Sequence, residues 1–216
     1  MPHLIVLARG PQHPPLVYNL AGILVIGGWY PRYSVEFWSS TNPDQESCEL
    51  SDYPREMGYG PTASLVGRKI IACVEGSCDV YQGGAWEHLQ DTIDSRRFHS
   101  AVGLREKLLL IGGMDSNSTE FIPVDGSGAS PGPFTVRHDE AHCTMKISEE
   151  VIVVTGGRNT EDLVTEYQLT DGRETALTPL TVGRLAHACG IYKDADGQQV
   201  SGEVQTSWLL ITNNLF

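Results

Sequence analysis

Four absences narrow the class of this chain before any motif is read. No apolar run approaches the roughly 18 residues that a membrane-spanning helix needs. No Cys-x2-Cys pair is present, so the usual spacing of structural zinc is missing. Basic charge is scarce: 15 Lys+Arg stand against 27 Asp+Glu, a formal net charge of −12. Such an acidic surface suits neither phosphate backbones nor anionic membranes, so nucleic acid is not an expected partner. Helical patterning is lacking too, for no segment keeps an amphipathic period over three turns. The short apolar run at residues 4–8 has no basic stretch before it and does not read as a signal peptide.

Glycine and turn residues, by contrast, are plentiful. The chain has 23 Gly and 12 Pro among its 216 residues, with 40% hydrophobic residues, enough for a real core cut by many turns. Three segments are built alike: residues 22–28 (GILVIGG), 107–113 (KLLLIGG) and 151–157 (VIVVTGG). A fourth, residues 69–76 (KIIACVEG), keeps only Gly76. Taking the last glycine of each, Gly28, Gly76, Gly113 and Gly157 are spaced by 48, 37 and 44 residues.

Other features recur in phase with these glycines. Upstream lie His99, His142 and His187, with Arg55, Arg97, Arg137 and Arg184 before the apolar runs. Downstream lie short strand-like runs carrying Glu36, Asp79, Glu120 and Glu166. Each unit reads as strands alone: apolar, then diglycine, then an acid and aromatic run. The acids are expected to pair with the arginines, and the histidines to be structural in the first strand of each unit.

A sheet-only unit of this length with a diglycine ending its second strand resembles the kelch repeat. The resemblance covers residues 20–192 and rests on Gly27, Gly28, Gly112, Gly113, Gly156 and Gly157. In the second unit it rests on Gly76, Tyr81 and Trp86. It implies an all-β fold: four-stranded antiparallel blades of a β-propeller, here about four blades and the start of a fifth, in an incomplete ring. The large aromatics are expected to fill the gap between blades. Residues 1–19 are an N-terminal segment of uncertain structure. After Val200 the pattern stops, so residues 193–216 read as an aberrant tail and the chain as a piece of a larger propeller. Four units alone would expose edges and favour self-association.

The chemistry-bearing residues yield no catalytic set. The segment His138-Asp139-Glu140-Ala141-His142 misplaces its glutamate for a zincin and sits on predicted turn and strand, not helix. No metal, cofactor or catalytic residue is expected. Cys73 and Cys78 flank a predicted turn between adjacent strands, close enough for a disulfide, with free thiols the alternative. Cys143 and Cys189 occupy comparable stretches of successive units and are a second candidate pair. Asn117-Ser118-Thr119 is an N-glycosylation acceptor triplet. Together these favour an extracellular or secretory setting over a cytoplasmic one.

Kelch domains mostly bind proteins through loops at one end, so the resemblance implies a non-catalytic interaction module. The most divergent loops are 29–34, 41–47, 115–118, 125–133 and 158–162. Two alternatives are the substrate-recognition part of a BTB-kelch ubiquitin ligase adaptor and a galactose-oxidase-like or sialidase-like carbohydrate-active propeller.

Overall fold

A computed structural model describes residues 4–9, 21–26, 34–39, 48–55, 60–186 and 189. Every element assigned among them is a strand, as the short aliphatic runs between turn residues dictate. The strands form four antiparallel meanders that follow the chain. The first joins β1 (Leu4–Arg9), β2 (Ala21–Ile26), β3 (Val35–Ser39) and β4 (Cys48–Glu49). The second joins β5 (Thr62–Val66), β6 (Lys69–Gln82) and β7 (Ala85–Arg96). The third holds β8 (Ser100–Gly103), β9 (Lys107–Ile111), β10 (Ser118–Pro123) and β11 (Ser130–Thr135). The fourth holds β12 (Cys143–Lys146), β13 (Val151–Thr155), β14 (Val164–Gln168) and β15 (Glu174–Ala176).

The second sheet contains four strand passes in three elements. The first half of β6 pairs with β5 and the second half with β7. The Cα atoms of Cys73 and Cys78 lie 4.1 Å apart, whereas five residues of extended strand would span roughly 16 Å. The element therefore turns back on itself between them.

Alternation along the strands decides how the sheets stack. In β9, Leu108 and Leu110 enter an apolar layer shared with Ile71, Cys73, Cys78 and Val80 of the second sheet. Leu109 and Ile111 point the other way, to Ile152, Val154 and Tyr167 of the fourth. All four β9 side chains are fully buried, which explains the unbroken apolar run LLLI. A third layer joins Ile26 and Val35 to Tyr53, Ala63 and Ala72. Each sheet is thus packed face to face with the next in chain order.

The first strands lie side by side in sequence: β1 by β5, β5 by β8, β8 by β12. The approach is close. A Cβ at Gly103 of β8 would collide with the Leu65 carbonyl of β5, and Ser100 and Thr144 hydroxyls meet at 2.5 Å. No closed ring forms among the described residues.

Candidate interaction face at the diglycine end

The glycines at the ends of β9 and β13 adopt the same pair of left-handed conformations. Gly112 and Gly113 have φ of +54° and +124°, and Gly156 and Gly157 +64° and +114°. Side chains are excluded for a second reason. A Cβ on Gly113 would stand 2.9 Å from the Arg97 carbonyl and 3.2 Å from the His99 Cβ. One on Gly157 would stand 2.7 Å from the Asp139 carbonyl and 3.2 Å from the His142 Cβ. The second glycine of each pair is therefore the seat of its own unit's histidine. Gly27, Gly28 and His187 lie outside the described residues. In the second unit Gly76 lies within the turn but does not take the left-handed conformation: Glu75 beside it carries the positive φ, +52°.

A second repeated device joins the units. Gly60, Phe98, Ala141 and Ala186, each just before a first strand or its expected position, have φ of +67°, +54°, +60° and +49°. Ala141 N–H donates to the Phe98 carbonyl at 2.9 Å, and Ala186 N–H to the Ala141 carbonyl at 2.8 Å. A Cβ on Gly60 would lie 2.6 Å from the Phe98 backbone, so this position needs glycine. Ala186 opens a fifth copy of the motif.

The expected pairing of acids with arginines holds at Arg55 and Asp79, 2.6 Å apart, where the Tyr53 hydroxyl also donates to Asp79. Burial, and then that bond, push the Tyr53 pKa up. In the third unit the partner of Glu120 is Arg96, not Arg97. Its Nε donates to Glu120 at 2.6 Å, and Nη1 to the carbonyls of Gly112 and Ser118. Arg96 and Glu120 are each 1% exposed. In the fourth unit the register differs again. Thr165 opposes Val154 as Glu120 opposes Leu110, so Thr165 holds the position expected for Glu166. His138 replaces the arginine, bonding the Gly156 carbonyl through Nδ1 at 2.7 Å and Thr165 through Nε2 at 3.0 Å. Nδ1 must carry the proton to meet a carbonyl, so Nε2 accepts from the threonine. Burial holds this imidazole's pKa below its ordinary value. Arg97 instead pairs with exposed Asp115, and Arg137 with Glu174.

Both candidate cysteine pairs form disulfides, Cys73–Cys78 and Cys143–Cys189. The latter draws the start of the fifth motif onto the outer face of the fourth sheet, where Leu177, Leu180 and Cys189 cover Met145, Val153 and Val164. Tyr81 and Trp86 oppose each other across β6 and β7 with ring centroids 5.2 Å apart. Trp86 meets the Tyr53 ring at 5.0 Å and packs against the layer between the first two sheets.

At the diglycine end the connections crowd together. Loops 115–118 and 158–162, both singled out for divergence, flank an open groove of about 490 Å³ together with residues 136–139. Its rim is polar: Arg97 holds Asp115 at 3.0 Å, Arg158 holds Glu140 at 2.5 Å, and Asn159 donates to Asp139 at 2.9 Å. The Arg97 bond lowers the Asp115 pKa. Within 125–133, residues 130–133 are strand, and the turn before them lies at the opposite end. Loop 41–47 and all of 29–34 except Ser34 lie outside the described residues.

The same end carries the exposed apolar side chains. Ile93, Met114, Val182 and Leu185 are the large hydrophobics that stand exposed among the described residues, between 47% and 59%. Met114 N–H bonds Arg97, and the Ile93 N–H bonds the Glu120 carboxylate. Arg184, next to Leu185, bonds Glu161 and Gly157, and a Cβ at Gly183, next to Val182, would meet Glu161 at 2.7 Å. Sequence reasoning missed these four, because they lie where the units differ and no repeat points to them.

Among the described residues no three His, Cys, Asp or Glu side chains gather as a metal site, and no helix is long and apolar enough to cross a membrane. No family model matches the chain, and no curated protein matches it.

Proposed function

We propose that the chain is a kelch-type array of propeller blades that binds a protein partner through its diglycine end, without catalysis. The observation that carries this reading is the gathering of Ile93, Met114, Val182 and Leu185 at that end. Scattered exposed apolar residues are ordinary, but here the four large exposed ones among the described residues all stand at the end that carries the Arg97–Asp115 and Arg158–Glu140 pairs. Apolar side chains beside a polar rim have the make-up of a contact surface. The fold supports the reading in its plan: meanders stacked in order, with first strands adjacent and the divergent connections 115–118 and 158–162 side by side at one end. The two disulfides favour an oxidising, extracellular or secretory setting over the intracellular setting of a ubiquitin ligase adaptor.

The test compares proteins retained by the immobilised chain, by a Met114→Asp/Leu185→Asp variant and by an Asp125→Lys variant at the opposite end. A partner kept by the wild type and by Asp125→Lys, and lost by the double variant, is the expected result. Loss through Asp125→Lys, or full retention by the double variant, contradicts the assignment of the face.

A further inference from the structure

The geometry points to Asn117 as the acceptor of an N-linked glycan, attached before β10 forms. The inference rests on the oxidising compartment proposed above. Asn117-Ser118-Thr119 has the acceptor form, with serine at the middle position, where proline would forbid it. Asn117 is exposed in the loop between β9 and β10, where its carbonyl accepts the Val136 N–H at 2.8 Å. The loop backbone is thereby tied while the side chain stays open to solvent.

The third residue of the triplet tells when attachment occurs. Thr119 is 2% exposed, and its hydroxyl donates to the Phe134 carbonyl of β11 at 2.6 Å. A transferase that reads this hydroxyl on an extended chain cannot reach it once β10 and β11 have paired. Transfer therefore precedes folding of the third sheet. The Asn117 amide nitrogen attacks C1 of a lipid-pyrophosphate-linked oligosaccharide; the C1–N bond forms as the C1–O bond breaks. The pyrophosphate leaves with the electron pair, and the amide loses one proton to solvent.

The folded chain tolerates the product. Asn117 is bonded beside the outer strand β11, whereas Leu185 adjoins Ala186 on the ladder that links the first strands. The glycan stands beside the outer strand β11, on the flank of the groove that loop 115–118 lines.

The full chain behind a secretory leader is translated into endoplasmic microsomes and its mass compared before and after peptide-N-glycosidase. The expected result is one removable glycan, lost in Asn117→Gln and Thr119→Ala and kept in Thr119→Ser. Folded, oxidised wild type offered to the transferase and its lipid-linked donor gains nothing, and becomes a substrate after reduction and denaturation. A translocated chain with Cys73–Cys78 formed but Asn117 bare overturns the inference and leaves the interaction face standing. Glycan on Asn117→Gln, or ready modification of the folded protein, also overturns it. Native protein found with both cysteine pairs reduced overturns the compartment reading itself.

Discussion

Burial holds the His99 imidazole neutral: its pKa is pushed down to about 3 by loss of solvent first, then by the Arg96 guanidinium and by His142. In the unfolded chain the same ring takes its proton near the ordinary value of about 6.5. Between those two values the unfolded state binds more protons, so the contribution is complete above pH ~6.5 and is lost as pH falls toward ~3. The slope is at most ~1.4 kcal/mol per pH unit. Denaturant midpoints should therefore drop between about pH 7 and about pH 5, and by less in His99→Gln; an equal drop in both would contradict this role. His138, held down by burial, acts in the same sense. Periodicity made His99 and His142 legible, since each must sit on a glycine with no Cβ, Gly113 and Gly157. The acid partners were legible only to within a residue. Arg96 and Arg97 are adjacent in sequence, and only the pairing register decides which faces Glu120; likewise Glu166 looks like the repeated acid, yet Thr165 opposes Val154.

Between elements, the Arg96–Glu120 pair fastens the end of β7 to β10 of the next sheet. Both groups are buried, and Arg96 also satisfies two carbonyls at the diglycine turn. Glu120→Ala would leave a buried guanidinium without its counter-charge and should cost about 3–5 kcal/mol. Asp115→Ala removes the superficially similar partner of Arg97, which is exposed, and should leave the unfolding midpoint unchanged. Equal effects of the two changes would show that the buried pair is not the fastening. At this scale the strands themselves were readable, because LLLI and VIVV are covered on both faces, LLLI by the second and fourth sheets and VIVV by the third sheet and by Leu177, Leu180 and Cys189. The hairpin within β6 was readable through Cys73 and Cys78. Its turn was not: Gly76 looks like the turn residue, but Glu75 takes the left-handed conformation, a choice that local sequence does not specify.

For the whole molecule, the order of the sheets is the order of the chain, and each apolar layer belongs to two neighbours. That plan follows from the repeat, whereas the face that distinguishes this chain does not. Met114, Leu185 and their companions occupy positions where the units diverge, and only their common location gives them meaning. Successive units stack with their first strands adjacent, which sets the diglycine connections at one end. Ser100 and Thr144 test it most directly, because their hydroxyl oxygens approach to 2.5 Å across the boundary between the third and fourth units. In a Ser100→Cys/Thr144→Cys variant, sulfurs at those positions fall within reach of a bond. Peptide mapping of the oxidised, folded variant should find the two introduced cysteines joined to each other beside the two native disulfides. Native disulfides intact with both new thiols free would contradict the stacking, and with it the face built upon it.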